Sequence, residues 1–215
     1  MNLLSGWQIF KRPDLNTFPL CLFLQVMQHR HFIIHKPYGY VSQFVYPHKR
    51  KKGVLGDLYD FPESTMAIGR LDAKSEGLLL LTTDGKVSFE VRSDRVEKEY
   101  YVQLDGQIDA SAVKTLGEGV EIGLEGEKYL TRPCKAFKLE EDPNFPPRKV
   151  KIRDARHGPT SWLSLTLTEG KFKQVRKMTA AVGFPTLRLI RVRIGKIYLD
   201  GLAPGAVKEV SRLNY

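Results

Sequence analysis

Between Gly69 and Gly85 the chain reads GRLDAKSEGLLLLTTDG, and four consecutive leucines, Leu78 to Leu81, end at the turn signal Asp84-Gly85. A short unbroken apolar run closed in this way suits a strand covered on both faces, so the fold must supply a layer on either side. Directly before the run stand Arg70, Asp72 and Glu76. An ionised group beside a core element costs several kcal/mol unless it is paired. Asp72 therefore either caps a turn or sits at the edge of a pocket and does chemistry, and the local pattern leaves both readings open.

The surrounding pattern is rich in strands. His31 to His35 (HFIIH) reads as a strand broken by the turn Lys36-Pro37-Tyr38-Gly39. A short helix is expected over Lys86 to Arg92, and a strand over Glu97 to Leu104, EKEYYVQL. Ile108 to Gly117 reads as a helix capped by Asp109 and stopped at Gly117 or Gly119. Strands are expected over Gly119 to Ile122 and Cys134 to Leu139, and EEDPNFPPRK, Glu140 to Lys149, reads as a loop or linker. In TSWLSLTLT, Thr160 to Thr168, leucines alternate with small polar residues, which predicts a half-buried strand. Lys171 to Val182 predicts a helix with Val175, Met178, Thr179 and Val182 turned to the core. Strands without regular strand–helix alternation give an α+β class with a mainly antiparallel sheet.

The chain carries 34 Lys and Arg against 24 Asp and Glu, a net charge of +10 over 215 residues. That excess points to a polyanionic partner, nucleic acid before membrane. The cations gather in three places: the run His48 to Lys52 with Lys49, Arg50 and Lys51, the helix face of Lys173, Arg176 and Lys177, and the strand of Arg188, Arg191 and Arg193. On the helix, an arginine turned inward could instead grip a carboxylate with its fork. Cys21 and Cys134 lie far apart, which fits a reducing compartment and argues against a disulfide scaffold. Phe18 to Met27 is too short to span a bilayer and no small-residue cleavage site follows, so a cytoplasmic protein with no membrane partner is expected. His29, His31 and His35 share one strand face but have no acid or thiol partner nearby, so no metal site is expected. Asp72 and Glu76 as a glycosidase-like carboxylate pair is weakly signalled, since any two acids four apart would qualify. Tyr100 and Tyr101 can serve as core residues or as stacking platforms for bases.

Four ordered stretches together resemble the pseudouridine synthases that modify ribosomal RNA, in the branch of the small-subunit enzyme A and the large-subunit enzymes B, E and F. HKPYG (His35 to Gly39) is similar to the first block of that family, and GRLDAKSEGLLLLTTDG to its active-site block. KEYYV (Lys98 to Val102) is similar to the Lys-x-Tyr block, and Glu169 to Gly195 to the last block. The stretch from Pro159 to Arg191 is most similar to the E-type large-subunit enzymes, which act on a single uridine of 23S ribosomal RNA.

The resemblance implies the pseudouridine synthase fold, a mixed and mainly antiparallel central sheet flanked by helices and loops. It implies Asp72 as the catalytic carboxylate, Arg176 as the arginine that pairs with it, and Tyr100 as the tyrosine that stacks on the base. Arg70 becomes a candidate for holding the flipped nucleotide or its phosphate, and Lys36, Lys49, Arg50, Lys51, Lys173, Lys177, Arg188 and Arg191 become candidate RNA contacts. Residues 1–28 are expected to be an extension too short for the RNA-binding S4 domain of many relatives, with the catalytic domain over residues 29–215. The reaction implied is uridine-to-pseudouridine isomerisation in 23S ribosomal RNA, free or in an assembling large subunit, by a monomer needing no cofactor. The carboxylate could attack the sugar carbon, stabilise an oxocarbenium-like centre or remove a ribose proton. Removing Arg176 is expected to leave Asp72 as a buried, unpaired charge. The alternative is a non-catalytic RNA-binding or ribosome-assembly factor on the same fold.

Overall fold

The computed structural model describes residues 28–45, 52–148, 150–153 and 155–215. From the N-terminal side come β1 (His31–Lys36), β2 (Met66–Ile68), β3 (Glu76–Thr82), α1 (Gly85–Arg92) and β4 (Lys98–Asp105). Next are α2 (Ala110–Glu118), β5 (Glu121–Leu124), β6 (Glu127–Leu130) and β7 (Lys135–Leu139). The chain continues through β8 (Thr160–Leu167), α3 (Gln174–Ala181), β9 (Thr186–Ile194), β10 (Ile197–Tyr198) and β11 (Val207–Val210). Nine of these strands form one sheet in the order β11-β1-β3-β9-β4-β8-β7, with β2 beside β3 and β10 beside β9, while β5 and β6 form a separate hairpin. Among the paired strands only β3 and β9 run parallel. The mixed, mainly antiparallel sheet expected from the sequence is the one observed.

The leucine run explains the layering. Every residue of β3 is buried. Leu79 and Leu81 pack with Phe32, Ile34 and Leu55, whereas Leu78 and Leu80 pack with Ile68, Val91, Ile190 and Ile194. Alternate side chains of one strand thus feed two apolar clusters, each leucine contributing about 1.5–3 kcal/mol of burial. A third cluster joins Val102, Leu104, Leu163 and Leu165 to Leu116 of α2 and to Val175 and Met178 of α3.

Where β3 begins, Gly77 lies against Arg191 of the parallel strand. Its φ is +102°, and a Cβ there would stand 2.3 Å from the Arg191 carbonyl oxygen. Only glycine permits that approach, which brings the turn carrying Asp72 up to β9. Asp84 caps α1 by accepting from the backbone N–H of Lys86 and Val87, and Asp109 caps α2 by accepting from Ala112 N–H.

Two expectations change. β8 is not half-buried: Ser161, Ser164 and Thr166 are as enclosed as the leucines between them. At Trp162 its second face is covered by the proline-rich loop, whose Phe145 ring lies 5.9 Å away, and Ser164 on that face donates to Glu99 Oε1 at 2.9 Å. The basic helix starts later than its apolar spacing suggests, because Lys173 adopts a left-handed conformation (φ 51°) as the cap of α3. No described helix is long and apolar enough to cross a membrane.

Candidate active site

The turn between β2 and β3 is held from below and presented from above. Ser42 Oγ accepts from Leu71 N–H at 2.9 Å and donates to Leu71 O at 3.0 Å. Gly39 N–H donates to Ala73 O at 2.7 Å, so the turn of HKPYG clamps the Asp72 turn. Asp72 Oδ1 accepts from Lys74 N–H at 2.7 Å, and Oδ2 accepts from the Ser75 hydroxyl at 3.0 Å. Both readings of Asp72 therefore hold at once: it caps its own turn and it lines a cleft.

Arg176 of α3 approaches the same carboxylate, with Nε 3.5 Å from Asp72 Oδ2. Its Nη2 donates to Lys74 O at 3.0 Å and to Ser75 Oγ at 3.4 Å, and its Nη1 to Thr186 O at 3.5 Å. The side chains of Arg176 and Asp72 are 19% and 26% exposed, so the pair sits at the cleft wall rather than deep in the core. α3 can present Arg176 there because the buried Val175, Met178 and Thr179 anchor the helix along an adjoining stripe.

Tyr100, in the middle of β4, lines the same cleft of about 510 Å³ together with Arg70, Asp72, Lys171, Phe172 and Lys173. That volume suits a nucleotide-sized ligand. A second recess of about 410 Å³ continues past Arg70 and Tyr100 to Lys98 and Arg191. Arg70 is exposed and has no ion-pair or hydrogen-bond partner among the described residues. Lys173 is exposed, with Nζ 5.0 Å from the centre of the Phe172 ring. Lys177 is half-buried and donates to Gly123 O of the β5–β6 hairpin at 2.5 Å.

Three of the candidate RNA contacts are not surface groups. Lys36 is fully buried, with Nζ donating to Pro37 O and to Tyr40 O at 3.0 and 2.7 Å. Burial pushes it down to about 7, while Asp72 and Glu76 pull it up. Arg188 is 5% exposed and bidentate on Glu76, at 3.0 and 2.9 Å. Arg191 is 4% exposed, and its Nε donates to Leu78 O. A basic strand at the centre of a sheet uses its arginines to satisfy internal acceptors, which charge counting along the sequence cannot foresee. Glu76, committed to Arg188, forms no carboxylate pair with Asp72. Lys49, Arg50 and Lys51 lie outside the described residues.

The sequence pattern of the RNA pseudouridylate synthase family matches residues 30–181. The chain belongs to that family. It is 42% identical over 174 residues to the ribosomal large subunit pseudouridine synthase E of Xanthomonas axonopodis pv. citri (strain 306), covering 80% of this chain and 89% of that protein. It is 37% identical over 190 residues to the enzyme of the same name from Vibrio vulnificus (strain CMCP6), covering 87% of this chain and 78% of that protein. A crystal structure of a pseudouridylate synthase superposes with a TM-score of 0.67 at 29% identity, covering 85% of this chain and 70% of that one.

Seen as a pseudouridylate synthase, the chain holds site residues that its sequence did not single out. Ser42 and Ser75 fix the turn, and Arg92 and Lys171 enter the cleft walls beside Lys98 of the Lys-x-Tyr block. Ser75, three residues after an aspartate, was the one legible signal, since a hydroxyl at that spacing closes a local hydrogen bond. Ser42 and Arg92 reach the site from distant segments and leave no local trace.

Proposed function

We propose that this protein isomerises a uridine of large-subunit, 23S ribosomal RNA to pseudouridine, with Asp72 as the reacting carboxylate and no cofactor. The observation that carries the reading is the Asp72 carboxylate itself, held by Lys74 N–H, Ser75 Oγ and Arg176 at the wall of a cleft that Tyr100 also lines. The large-subunit relatives at 37–42% identity support the choice of RNA.

In this reaction the C1′–N1 bond breaks, the base turns, a C1′–C5 bond forms, the C5 proton leaves to solvent and N1 takes up a proton. No electrons are gained or lost and no water enters. An anionic carboxylate serves each available route, whether attack at C1′, stabilisation of positive charge there, or removal of a ribose proton. Arg176 positions Asp72 beside the sugar, and Tyr100 offers its ring to the extruded base. Arg70, Lys173 and Lys177 contribute positive charge along the RNA path. The protein acts as a monomer in the cytoplasm, on free ribosomal RNA or on an assembling subunit.

The test is tritium release from 23S transcript labelled at uridine C5. The wild type should release tritium from one mapped uridine, and Asp72→Asn should release at least about 1000-fold less while binding the same RNA. RNA binding with no release by the wild type, from transcript or precursor subunits, would leave a binding protein. Turnover by Asp72→Asn would remove Asp72 from the chemistry.

A further inference from the structure

The recess that extends the Asp72 cleft is walled by an excess of cations. Arg70, Arg92, Lys98, Arg132, Lys171 and Arg191 line it against only Asp94 and Glu169. Both acids are already engaged. Asp94 pairs with Arg132 at 2.6 Å, and Glu169 accepts from the Tyr129 hydroxyl, Arg132 N–H and Gln174 Nε2. That leaves Arg70, Arg92, Lys98, Lys171 and Arg191 against the single negative charge of Glu169, whose hydrogen-bond donors are all neutral.

Arg191 is the sharpest case. It is 4% exposed, and among the described residues it has no carboxylate partner and its Nη2 has no hydrogen-bond partner. A buried guanidinium left so is costly, and folds tolerate such violations mainly at functional sites. Lys98 stands two residues before Tyr100 on β4, so both side chains project from the same face of the strand. It is half-buried, and its Nζ donates to Ser93 O at 3.0 Å. Burial pushes Lys98 down to about 8, with the nearby Arg191 adding to the shift and Asp94 opposing it. The recess and the Asp72 cleft share Arg70, Arg92, Tyr100 and Lys171, so a nucleotide at Tyr100 has its own backbone at the mouth of the recess.

The geometry points to this recess as the seat of one RNA phosphodiester, the one flanking the uridine at Asp72, held by Lys98 and Arg70 over the buried charge of Arg191. The inference rests on the RNA substrate proposed above. A phosphate fixed one bond from the ribose sets the depth and rotation of the flipped nucleotide, which makes Lys98 a binding group separate from the reacting carboxylate.

The experiment uses a 23S fragment spanning the mapped uridine, with a neutral methylphosphonate placed immediately 5′ of it, immediately 3′ of it, or several nucleotides away. One flanking substitution should weaken binding to the wild type by about tenfold, and the remote one by much less. Lys98→Gln should lose about tenfold on unmodified RNA and lose nothing more on the flanking methylphosphonate, while Lys98→Arg keeps most of the affinity. Equal effects of all three substitutions overturn the inference, as do losses in Lys98→Gln and methylphosphonate that multiply. If no uridine is turned over, the isomerase reading fails, and the recess is tested by itself with mononucleotides. Uridine 5′- or 3′-monophosphate should then bind the wild type about tenfold more tightly than uridine, and Lys98→Gln should lose the difference. An equal affinity for nucleoside and nucleotides overturns it.

Discussion

Arg176 does more than face Asp72. Its guanidinium ties Lys74 O, Ser75 Oγ and Thr186 O together, joining the β2–β3 turn to the start of β9. The expectation that its loss strands Asp72 as a buried lone charge does not survive. Asp72 keeps hydrogen bonds from Lys74 N–H and Ser75 Oγ, and its side chain is 26% exposed. Arg176→Ala should therefore cost about 1–2 kcal/mol in urea unfolding, the value of its hydrogen bonds rather than of an orphaned charge. Single-turnover activity should fall by about 100-fold or more, because the carboxylate loses its orientation. Arg176→Lys should recover part of the stability and little of the activity, since an ammonium cannot reproduce the fork. Full activity in the alanine variant would show that the pairing is incidental.

The junction of β3 and β9 holds a buried charge cluster. Glu76, 2% exposed, receives two hydrogen bonds from Arg188 and has Arg148 at 3.8 Å. Arg148 comes from the proline-rich loop and also lies 4.4 Å over the Tyr38 ring, next to the HKPYG turn. Removing one partner leaves the others charged and enclosed, so Arg188→Ala should destabilise by about 3–5 kcal/mol. The double variant Glu76→Leu, Arg188→Leu should cost less than that single change, a comparison that equilibrium urea melts settle directly. Additive losses would mean that the pair is not coupled. At this scale the sequence was partly legible. Local signals placed β1, β3, β4, α1 and α2, because apolar runs and aspartate caps are local physics. The second cover of β8 was not legible, because it comes from Phe145 in a loop that reads as solvent-facing linker. The late start of α3 was hidden too, since nothing in the spacing marks Lys173 as left-handed.

For the molecule as a whole, Lys36 gives stability an unusual pH slope. Its folded value of about 7 lies below the ordinary 10.5 because of burial. Between those limits the unfolded chain holds a proton that the folded one has released, so raising the pH favours the fold. Lys98, at about 8, adds the same sign from there upward. The Cys134 thiol, raised by burial to about 11 from 9.0, opposes it only above pH 9. The urea midpoint should rise from pH 7 to pH 9, and Lys36→Met should flatten most of that rise. A flat or falling wild-type curve would refute the assignment. The sequence by itself determined the two-sided burial of the leucine strand, the α+β class and the Arg-Leu-Asp turn before a core element. These follow from residue order and from the cost of solvating apolar surface or stranding charge. Only the tertiary structure decided which cations face the cleft and which are internal. Lys36 and Arg188 read in sequence like Arg70 and Lys173, and Arg191 is enclosed yet lines the recess beside the cleft. A side chain's surroundings depend on strands far away in the chain, here β3 against β9 and the loop of Phe145 over Trp162. The same folding brings Asp72, Tyr100 and Arg176 to one cleft from segments up to 104 residues apart, counting from 72 to 176.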